Sequence, residues 1–475
     1  MAQEYDLVIL GGGTGGYVAA IQAAKKGKKV AVVEKSKVGG TCLHRGCIPS
    51  KALLRSAEVF QTVKKAAEFG VELSGDAAIN FLKAQERKQS IVDQLEKGIH
   101  QLFKMGKIDL YEGTGTILGP SIFSPMAGTI SISHEDGSEN DMIIPKNLII
   151  STGSRPRPLP NLPFDEEVVL SSDGALKMEA LPQSMMIVGG GVIGMEWASL
   201  LTDFGVKVTV LEFADRVVAM EDKEISKELA TLFKKKGVEI VTGAEVLPDT
   251  FKKTKKGMTI QATVKGEAQT FEAEKLLVSV GRQANVENIG LENTNIVLEK
   301  GFIKVNDQFQ TKESHIYAIG DCIPTLQLAH VAMHEGTLAV KSICGEKVEP
   351  INYDLVPRCI YTSPEIACVG VSEDKAKETG HKVKKGKFVF KGIGKALVFG
   401  ESDGFVKVIA DKETDDVLGV AMIGPHVTDM ISEAALAQVL DATPWEIGET
   451  IHPHPTLSEA LAEAALAVDN NQIHG

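Results

Sequence analysis

Two stretches of the chain repeat one glycine pattern, and this repeat constrains the fold more than any other feature. Residues 7–34 read LVILGGGTGGYVAAIQAAKKGKKVAVVE, and residues 185–212 read MMIVGGGVIGMEWASLLTDFGVKVTVLE. Each copy is an apolar run, a glycine-rich turn, an apolar-periodic segment that ends at glycine, and a second apolar run that ends in glutamate. This order is typical of a strand, a helix and a parallel strand, so the sequence predicts one βαβ unit, formed twice.

The glycines of each copy have the G-x-G-x-x-G spacing of a dinucleotide-binding turn between a strand and a helix. The pairs are Gly11 with Gly189 for the tight turn, Gly13 with Gly191 for the approach of backbone to a pyrophosphate, and Gly16 with Gly194 for close packing of helix on strand. Two ordinary crossovers with glycine turns are the alternative. Because an acid follows each turn at about 20 residues, as the fingerprint requires, we expect two bound dinucleotides.

The acids Glu34 and Glu212 indicate which dinucleotides these are. An acid at the end of the second strand accepts hydrogen bonds from ribose hydroxyls and repels a 2′-phosphate. Glu212 is followed by Phe213 and Ala214 rather than by basic residues, which favours NAD over NADP in the second copy. Arg216 is near enough to leave NADP as the alternative.

Bulk properties narrow the class of protein. A chain of 475 residues is too long for one hydrophobic core, and roughly three domains are expected. The formal net charge of -12 argues against a nucleic-acid surface. The sequence contains no apolar run of about 18 residues, which is the length that a membrane-spanning helix needs. The N-terminus enters a strand pattern without a basic leader, so we expect a cytoplasmic protein; an organellar protein with its leader removed is the alternative.

The remaining patterns predict further elements. Helices are expected over 83–105, 329–344, 426–440 and 456–467. Strands are expected within 121–150, 258–280, 357–370 and 404–422. From about residue 349 onward the chain thus has the pattern of an α+β module distinct from the two nucleotide folds.

The stretch GGTCLHRGCIPSK places Cys42 and Cys47 five positions apart. They could form a structural disulfide, part of a metal site, or a redox-active dithiol. A disulfide here would close a loop too short to add much stability, and a metal would need two further ligands, whereas the other four cysteines are scattered. We therefore expect a redox-active pair, and Pro49 indicates a helix start whose positive end would favour thiolate.

The chain resembles the flavoprotein disulfide reductases over essentially its whole length. The motifs that carry the resemblance are GGTCLHRGCIPSK, the doubled fingerprint, STGSRP at 151–156, YAIGD at 317–321 and HPHPTLSE at 452–459. Within this family they are most similar to the NAD-dependent members that oxidise dihydrolipoamide as the E3 component of 2-oxoacid dehydrogenase complexes. The resemblance implies a homodimer whose partners are a lipoyl domain and the E2 core of such a complex.

It also implies an α/β fold with two Rossmann-like dinucleotide-binding domains and a C-terminal α+β dimerisation domain. The implied boundaries are 1–150 with 277–348 for the FAD-binding domain, 151–276 for the NAD-binding domain, and 349–475 for the interface domain. FAD would bind the first fingerprint, with Glu34 on the adenosine ribose, Gly153 in the STGSRP turn, and Asp321 on the ribityl side.

The same resemblance assigns roles to the thiols and to two charged residues. Cys47 would lie against the flavin and Cys42 would face the substrate. Lys51 would lie near the reactive nitrogen of the flavin and pair with Glu196. The alternative for Lys51 and Glu196 is a pair of solvated helix charges.

His454 would be the general base, oriented by Glu459 and acting on the thiols of the other subunit. Alternatively, Glu459 only caps its own helix through the Thr456-x-x-Glu459 pattern, and His454 is a bystander. His330 and His334, four residues apart, could be metal ligands, but no third ligand is evident, and no metal is expected.

The chain departs from the usual pattern of the family at three places. The first fingerprint contains an extra glycine, STGS stands in place of ATGS, and Pro453 stands where alanine is usual; none of these removes a functional group.

Three rival functions are left open. A glutathione-type reductase should have basic residues near position 212. A mercuric reductase should end in a cysteine pair, which NNQIHG lacks. A non-catalytic flavin scaffold is the rival from another class.

Overall fold

The computed structural model describes residues 3–120 and 127–474. The strands are β1 (Gln3–Leu10), β2 (Val30–Glu34), β3 (Asp109–Glu112), β4 (Thr114–Ile117), β5 (Ile130–Ser133), β6 (Asp141–Ile150), β7 (Ser154–Pro156), β8 (Val169–Leu170), β9 (Ser184–Val188), β10 (Lys207–Glu212), β11 (Glu239–Thr242), β12 (Ala244–Thr254), β13 (Gly257–Val264), β14 (Glu267–Ala273), β15 (Lys275–Val278), β16 (Arg282–Ala284), β17 (Leu298–Glu299), β18 (Phe302–Ile303), β19 (Ile316–Ala318), β20 (Arg358–Ile360), β21 (Glu365–Gly370), β22 (Val383–Val389), β23 (Phe405–Asp411) and β24 (Val417–Gly424).

The α-helices are α1 (Thr14–Lys25), α2 (Gly40–Arg45), α3 (Cys47–Lys64), α4 (Phe81–Gly106), α5 (Ser172–Ala175), α6 (Val192–Asp203), α7 (Lys223–Lys235), α8 (Ala329–Ile343), α9 (Glu373–Glu378), α10 (Gly394–Phe399), α11 (Val427–Val439), α12 (Pro444–Glu449) and α13 (Glu459–Leu466). Short 3-10 helices lie at Ala66–Phe69, Leu291–Asn293, Gly320–Cys322, Tyr353–Leu355, Phe390–Gly392 and Ala467–Asp469.

The chain divides into two compact units. The first consists of Met1–Ala52, Leu82–Arg157 and Arg282–Tyr353, and the second of Leu53–Phe81, Pro158–Gly281 and Asp354–Gly475. The three-domain boundaries expected from the sequence are finer than this division and stay a proposal.

The first unit is built on a sheet with the strand order β3-β2-β1-β6-β5-β4, in which β19 also pairs with β6. The strands β3, β2, β1, β6 and β19 are parallel, and β5 and β4 are antiparallel additions. β2 is buried along its whole length, as expected for a parallel strand covered on both faces. Because β1 and β6 end in register, at Leu10 and Ile150, the loops that follow them start at the same edge of the sheet.

The second unit contains the repeat of this arrangement. Its parallel sheet has the order β11-β10-β9-β15-β8, and β9–α6–β10 is the second βαβ unit. The antiparallel strands β12, β13 and β14 follow, and alternate residues of β13 are buried, so one face of it lies on an apolar core. Both predicted βαβ units are confirmed.

The same unit contains the C-terminal module, an antiparallel sheet of order β20-β21-β24-β23-β22 with α11 and α13 packed on it. The helices predicted over 83–105, 329–344, 426–440 and 456–467 are confirmed as α4, α8, α11 and α13, and the predicted strand regions contain strands. The part of the 121–150 prediction that covers residues 121–126 lies outside the described residues. The sequence reading did not predict β22, whose lysine-rich KKGK centre hides the alternation.

A buried lysine connects the C-terminal sheet to the start of α7. Lys407 of β23 is 1% exposed, and its Nζ lies 3.0 Å from Asp222, 2.8 Å from Glu224 and 2.8 Å from Glu373. Burial alone would raise the pKa of Glu224, but hydrogen bonds from Lys387 and Lys407 outweigh it and lower that pKa to about 2. Glu224 and Glu373, whose pKa values are both lowered by hydrogen bonds from lysines, therefore compensate the buried charge of Lys407.

We expect Lys407→Met to lower the free energy of unfolding by about 3 kcal/mol, because buried Asp222 would lose its cationic partner. Since the pKa of Glu224 is depressed on folding, the stability it contributes is present above its ordinary value of 4.5 and is lost as the pH falls towards 2. The difference in free energy of unfolding between wild type and Lys407→Met should therefore become smaller in acid. Urea midpoints at pH 7 and pH 3 measure this, with exposed Lys412→Met as the control; equal midpoints for both variants at pH 7 would contradict it.

Candidate active site

Each dinucleotide turn requires glycine because backbone approaches backbone there. Gly11 has φ +107°, and a Cβ on it would lie 2.4 Å from the Ser151 carbonyl oxygen. A Cβ on Gly16 would lie 2.0 Å from the Gly11 oxygen, whereas one on Gly13 would meet nothing closer than Gly40 Cα at 3.9 Å. The first and third glycines thus pack the turn, and the second leaves open space.

The second turn repeats this geometry. A Cβ on Gly189 would lie 2.5 Å from the Ser279 oxygen, a Cβ on Gly194 would lie 1.9 Å from the Gly189 oxygen, and a Cβ on Gly191 would meet nothing within 4 Å. Ser151 and Ser279 play the same part, since the hydroxyl of each donates to the carbonyl of the first glycine, at 2.6 and 3.1 Å. From the sequence, Ser151 was noted only as a departure from the family pattern and Ser279 was missed, although each directly follows an apolar strand.

Both turns fit a pyrophosphate. Helices α1 and α6 begin directly after Gly13 and Gly191, and neither N-terminus has a side-chain cap. The first N–H groups of a helix carry partial positive charge and need an acceptor from outside the helix. An anion next to the second glycine would supply that acceptor, in the space where a Cβ is missing.

The two acids, Glu34 and Glu212, hold the turns by matching hydrogen bonds. Oε2 of Glu34 accepts from Gly12 N–H at 2.7 Å, and its Oε1 accepts from Ser36 N–H at 2.8 Å. Oε2 of Glu212 likewise accepts from Gly190 N–H at 2.5 Å, and its Oε1 accepts from Ala214 N–H at 2.7 Å. A carboxylate has about four acceptor positions, so each acid still has room for ribose hydroxyls.

The cysteine segment is docked on the first turn. Gly39 N–H donates to the Gly12 carbonyl at 2.8 Å and forms a parallel bridge with Gly13. Gly40 has φ +59°, and a Cβ there would lie 2.6 Å from Gly13 Cα. The glycines ahead of the cysteines therefore allow the thiols to lie beside the dinucleotide turn.

The expected helix start is present but is occupied by only one cysteine. Cys47 is the first residue of α3, with Pro49 in its first turn, whereas Cys42 lies in the separate short helix α2. The pair is in the dithiol form, and the pKa of Cys42 is raised by its hydrogen bond to Cys47 and by burial, while the charge of Lys51 acts in the opposite direction. The expectation that the helix makes both thiols acidic is thus wrong for Cys42 in this form.

Asp321 lies in a polar network at the carboxyl edge of the first sheet. Its Oδ2 accepts from the Ser154 hydroxyl at 2.5 Å, and Arg282 Nε donates to the same hydroxyl at 2.6 Å. Glu335 of α8, fully buried, accepts from Gly320 N–H at 2.7 Å and so fixes the turn before Asp321. Burial raises the pKa of Glu335. Sequence reasoning found Asp321 but missed Ser154, Arg282 and Glu335.

Three further residues were expected at the cofactors. Gly153 has φ +70°, and its carbonyl accepts from Asn285 N–H at 2.9 Å. Glu196 is 6% exposed, and its Oε1 accepts from Tyr361 N–H at 2.9 Å, so it is not a solvated helix charge. Lys51 lies in the second turn of α3. The expected pairing of Lys51 with Glu196 stays a prediction.

The histidine of the C-terminal motif is paired with the acid expected to orient it. His454 Nδ1 lies 2.9 Å from Glu459 Oε1, and Glu459 Oε2 accepts from Thr456 N–H at 2.8 Å. One oxygen of Glu459 thus lies on the imidazole and the other accepts from the Thr456 backbone, so Glu459 does not serve only as a cap, and α13 itself begins without a side-chain cap. The imidazole side chain is 78% exposed.

Within 3–120 and 127–474, no group of three or more His, Cys, Asp or Glu residues could hold a metal ion. No helix of the described chain is long and apolar enough to cross a membrane.

Known proteins of one family match this chain over nearly its whole length. The family described as pyridine nucleotide-disulphide oxidoreductase matches residues 5–336, and its dimerisation domain matches residues 356–465. A dihydrolipoyl dehydrogenase of Bacillus subtilis is 66% identical over 100% of both chains, and one of Chlamydia pneumoniae is 39% identical over 100% of this chain and 99% of the other. The crystal structure of LpdA from Mycobacterium tuberculosis has a TM-score of 0.89 at 28% identity, covering 98% of this chain and 99% of that chain.

Variants at two glycines of the second turn distinguish the glycine that backbone packing requires from the glycine that leaves space for a ligand. We expect Gly194→Ala to lower stability by about 1–3 kcal/mol, because its Cβ would overlap the Gly189 carbonyl. Gly191→Ala should leave the melting temperature without NAD+ unchanged but weaken NAD+ binding about tenfold, or about 1.4 kcal/mol. Melting curves and NAD+ titrations measure both effects, and unimpaired NAD+ binding by Gly191→Ala would refute the assignment of this space.

Proposed function

The chain belongs to the pyridine nucleotide-disulphide oxidoreductase family, and we propose that it oxidises protein-bound dihydrolipoamide to lipoamide with NAD+ as the acceptor. The observation that carries the proposal is the hydrogen-bonded thiol pair Cys42–Cys47, docked on the first dinucleotide turn. A pair of this kind exchanges with another dithiol by thiolate attack on a disulfide. The curated relatives that match the whole chain bear the name of this reaction.

The enzyme uses FAD and NAD, as its family does. We assign FAD to the first turn because the segment that leads into the thiols is docked on it, and NAD to the second because Glu212 would repel a 2′-phosphate. Arg216, which left NADP as the alternative, donates from Nη2 to the Ala219 carbonyl at 2.7 Å, so the preference for NAD rests on Glu212. When bound, FAD supplies the two-electron transfer from the dithiol to NAD+.

The thiols perform the exchange with the substrate. In the oxidised enzyme a thiolate of dihydrolipoamide attacks Cys42, the Cys42–Cys47 bond breaks, and Cys47 leaves with the electron pair. The second substrate sulfur then attacks the first, lipoamide is released, and Cys42 leaves as thiolate. The substrate has lost two electrons and two protons, and the enzyme holds the electrons as the dithiol.

His454 serves as the base for this exchange. A carboxylate only accepts, so the 2.9 Å contact with Glu459 places the proton of the neutral imidazole on Nδ1 and leaves Nε2 to take a proton from the substrate thiol. A base is needed because a free thiol, with a pKa of about 8.5, is mostly protonated near neutral pH.

The dimerisation-domain match supports a homodimer, and it contains His454 and Glu459, whereas the thiols lie in the oxidoreductase match. We propose that each Cys42–Cys47 pair is served by His454 of the partner subunit. We further propose that the substrate is carried on a lipoyl domain, that the enzyme is the E3 component bound to an E2 core, and that it acts in the cytoplasm.

Steady-state reduction of NAD+ by dihydrolipoamide tests the function. We expect turnover with NAD+, little with NADP+, and none with glutathione disulfide and NADPH. Cys42→Ser should lower kcat at least about a thousandfold, because the attacked sulfur is gone, and His454→Gln should lower it about 10²–10⁴-fold.

Cys344→Ser is the matched control, since Cys344 is a half-buried thiol that follows α8, and it should retain full activity. Retained turnover by Cys42→Ser, or a preference for glutathione disulfide, would overturn the proposal. A fully active monomer would overturn only the assignment of His454 to the partner subunit.

A further inference from the structure

The segment that carries the base lacks support from its own backbone. Between α12 and α13, none of the described N–H groups of residues 451–458 donates to a backbone carbonyl. Pro453 and Pro455 have no N–H to offer. Within the segment, the Thr456 hydroxyl donates to the Pro453 carbonyl at 2.7 Å, and the position of the segment against the rest of the fold depends on side chains.

His452 makes such a contact, and makes it at both ring nitrogens. Its Nδ1 lies 2.7 Å from the Thr450 carbonyl oxygen, and its Nε2 lies 2.8 Å from Oε1 of Glu433 on α11. Its side chain is 6% exposed. The histidine is thus buried and tied to a helix that lies outside the segment.

The two acceptors determine the protonation state of His452. A carbonyl oxygen and a carboxylate only accept hydrogen bonds, so both ring nitrogens carry a hydrogen and the ring is an imidazolium. In agreement, the hydrogen bond to Glu433 raises the pKa of His452 against the effect of burial, with a smaller contribution from the charge of Glu459.

His452 and His454 have complementary environments on either side of Pro453. His454 is exposed and bonded at one nitrogen, which leaves the other for chemistry. We propose that His452, as an imidazolium paired with Glu433, is a positioning residue that fixes the segment carrying the base His454. This inference rests on the proposed function of His454.

The pairing gives the position of the base a defined pH dependence. Because pairing raises the pKa of His452, the charged pair is present below that pKa and is lost as the pH rises through it. The charged groups that face His452 are Glu433 from α11 and Glu459 from α13, and the Thr450 carbonyl faces it from the end of α12. Loss of the pair at high pH should lower kcat.

Four variants of the full-length holoenzyme test the inference. His452→Leu removes both bonds, and Glu433→Gln removes the charge of the partner. His452→Gln retains a donor towards Glu433 that does not titrate. His381→Gln is the matched control, because His381 also pairs with a carboxylate, Asp411, at 2.6 Å in the same unit, but lies on the loop before β22.

We expect His452→Leu to lower kcat with dihydrolipoamide between about tenfold and a hundredfold, with KM within twofold of wild type. Reduction of an artificial electron acceptor by NADH should be unchanged, since it bypasses the base. The His452→Gln variant should lose less activity and should lack the alkaline decline of kcat that we expect for wild type. His381→Gln should match wild type.

A double variant decides between positioning and general stability. In a His454→Gln background, adding His452→Leu should lower kcat no further, because a positioning residue acts only through the base it positions. Additive losses, an unchanged kcat in His452→Leu, or a fall in both reactions together would overturn the inference. If wild type itself fails to oxidise dihydrolipoamide, the proposed function has failed instead, so the two failures are distinguishable.

Discussion

The structure depends on places where two backbones meet more closely than a Cβ would permit. In both dinucleotide turns the third glycine faces the carbonyl of the first, and in the first turn Gly40 faces Gly13. These contacts place the start of a helix and, in the first unit, the thiol pair at the carboxyl edge of a parallel sheet. The backbone that leads into the Cys42–Cys47 pair is thus docked on the first dinucleotide turn through glycine contacts.

Acidic side chains organise the loops around this edge. Glu34 and Glu212 each bridge a glycine turn and the end of the second strand, Glu335 fixes the turn before Asp321, and Glu459 orients His454. Acids exceed bases by 63 to 51, and part of this excess accepts backbone N–H groups that would otherwise lack acceptors. The net negative charge is therefore in part a consequence of how the sites are held.

The raised pKa of Cys42 and the exposure of His454 bear on the same proton transfer. Cys42 in the dithiol form has a raised pKa, because it shares a hydrogen bond with Cys47 and is largely buried. Cys42 in this form therefore releases a proton with difficulty, which agrees with the proposal that an exposed base serves the pair. His454 is exposed, whereas the side chain of His452, two residues earlier, is buried and faces an acceptor at each ring nitrogen. The proposal assigns reactivity to the first histidine and anchoring to the second.

The sequence by itself determined the two βαβ units, the position of their turns, and the acid at the end of each second strand. It could do so because a glycine whose Cβ would overlap a neighbouring carbonyl cannot be replaced without strain, so that requirement remains visible as spacing. The pairing of His454 with Glu459 was expected from the resemblance of the HPHPTLSE motif to the family, and the sequence itself left a capping role for Glu459 open.

Only the tertiary structure decided the rest. Four contacts join residues that are between 15 and 185 positions apart in the chain, and no local pattern connects them. They are Ser151 with Gly11, Arg282 with Ser154, Glu335 with Gly320 and Lys407 with Asp222. The raised pKa of Cys42 likewise arises from burial and from a neighbouring thiol, which are properties of packing and not of spacing.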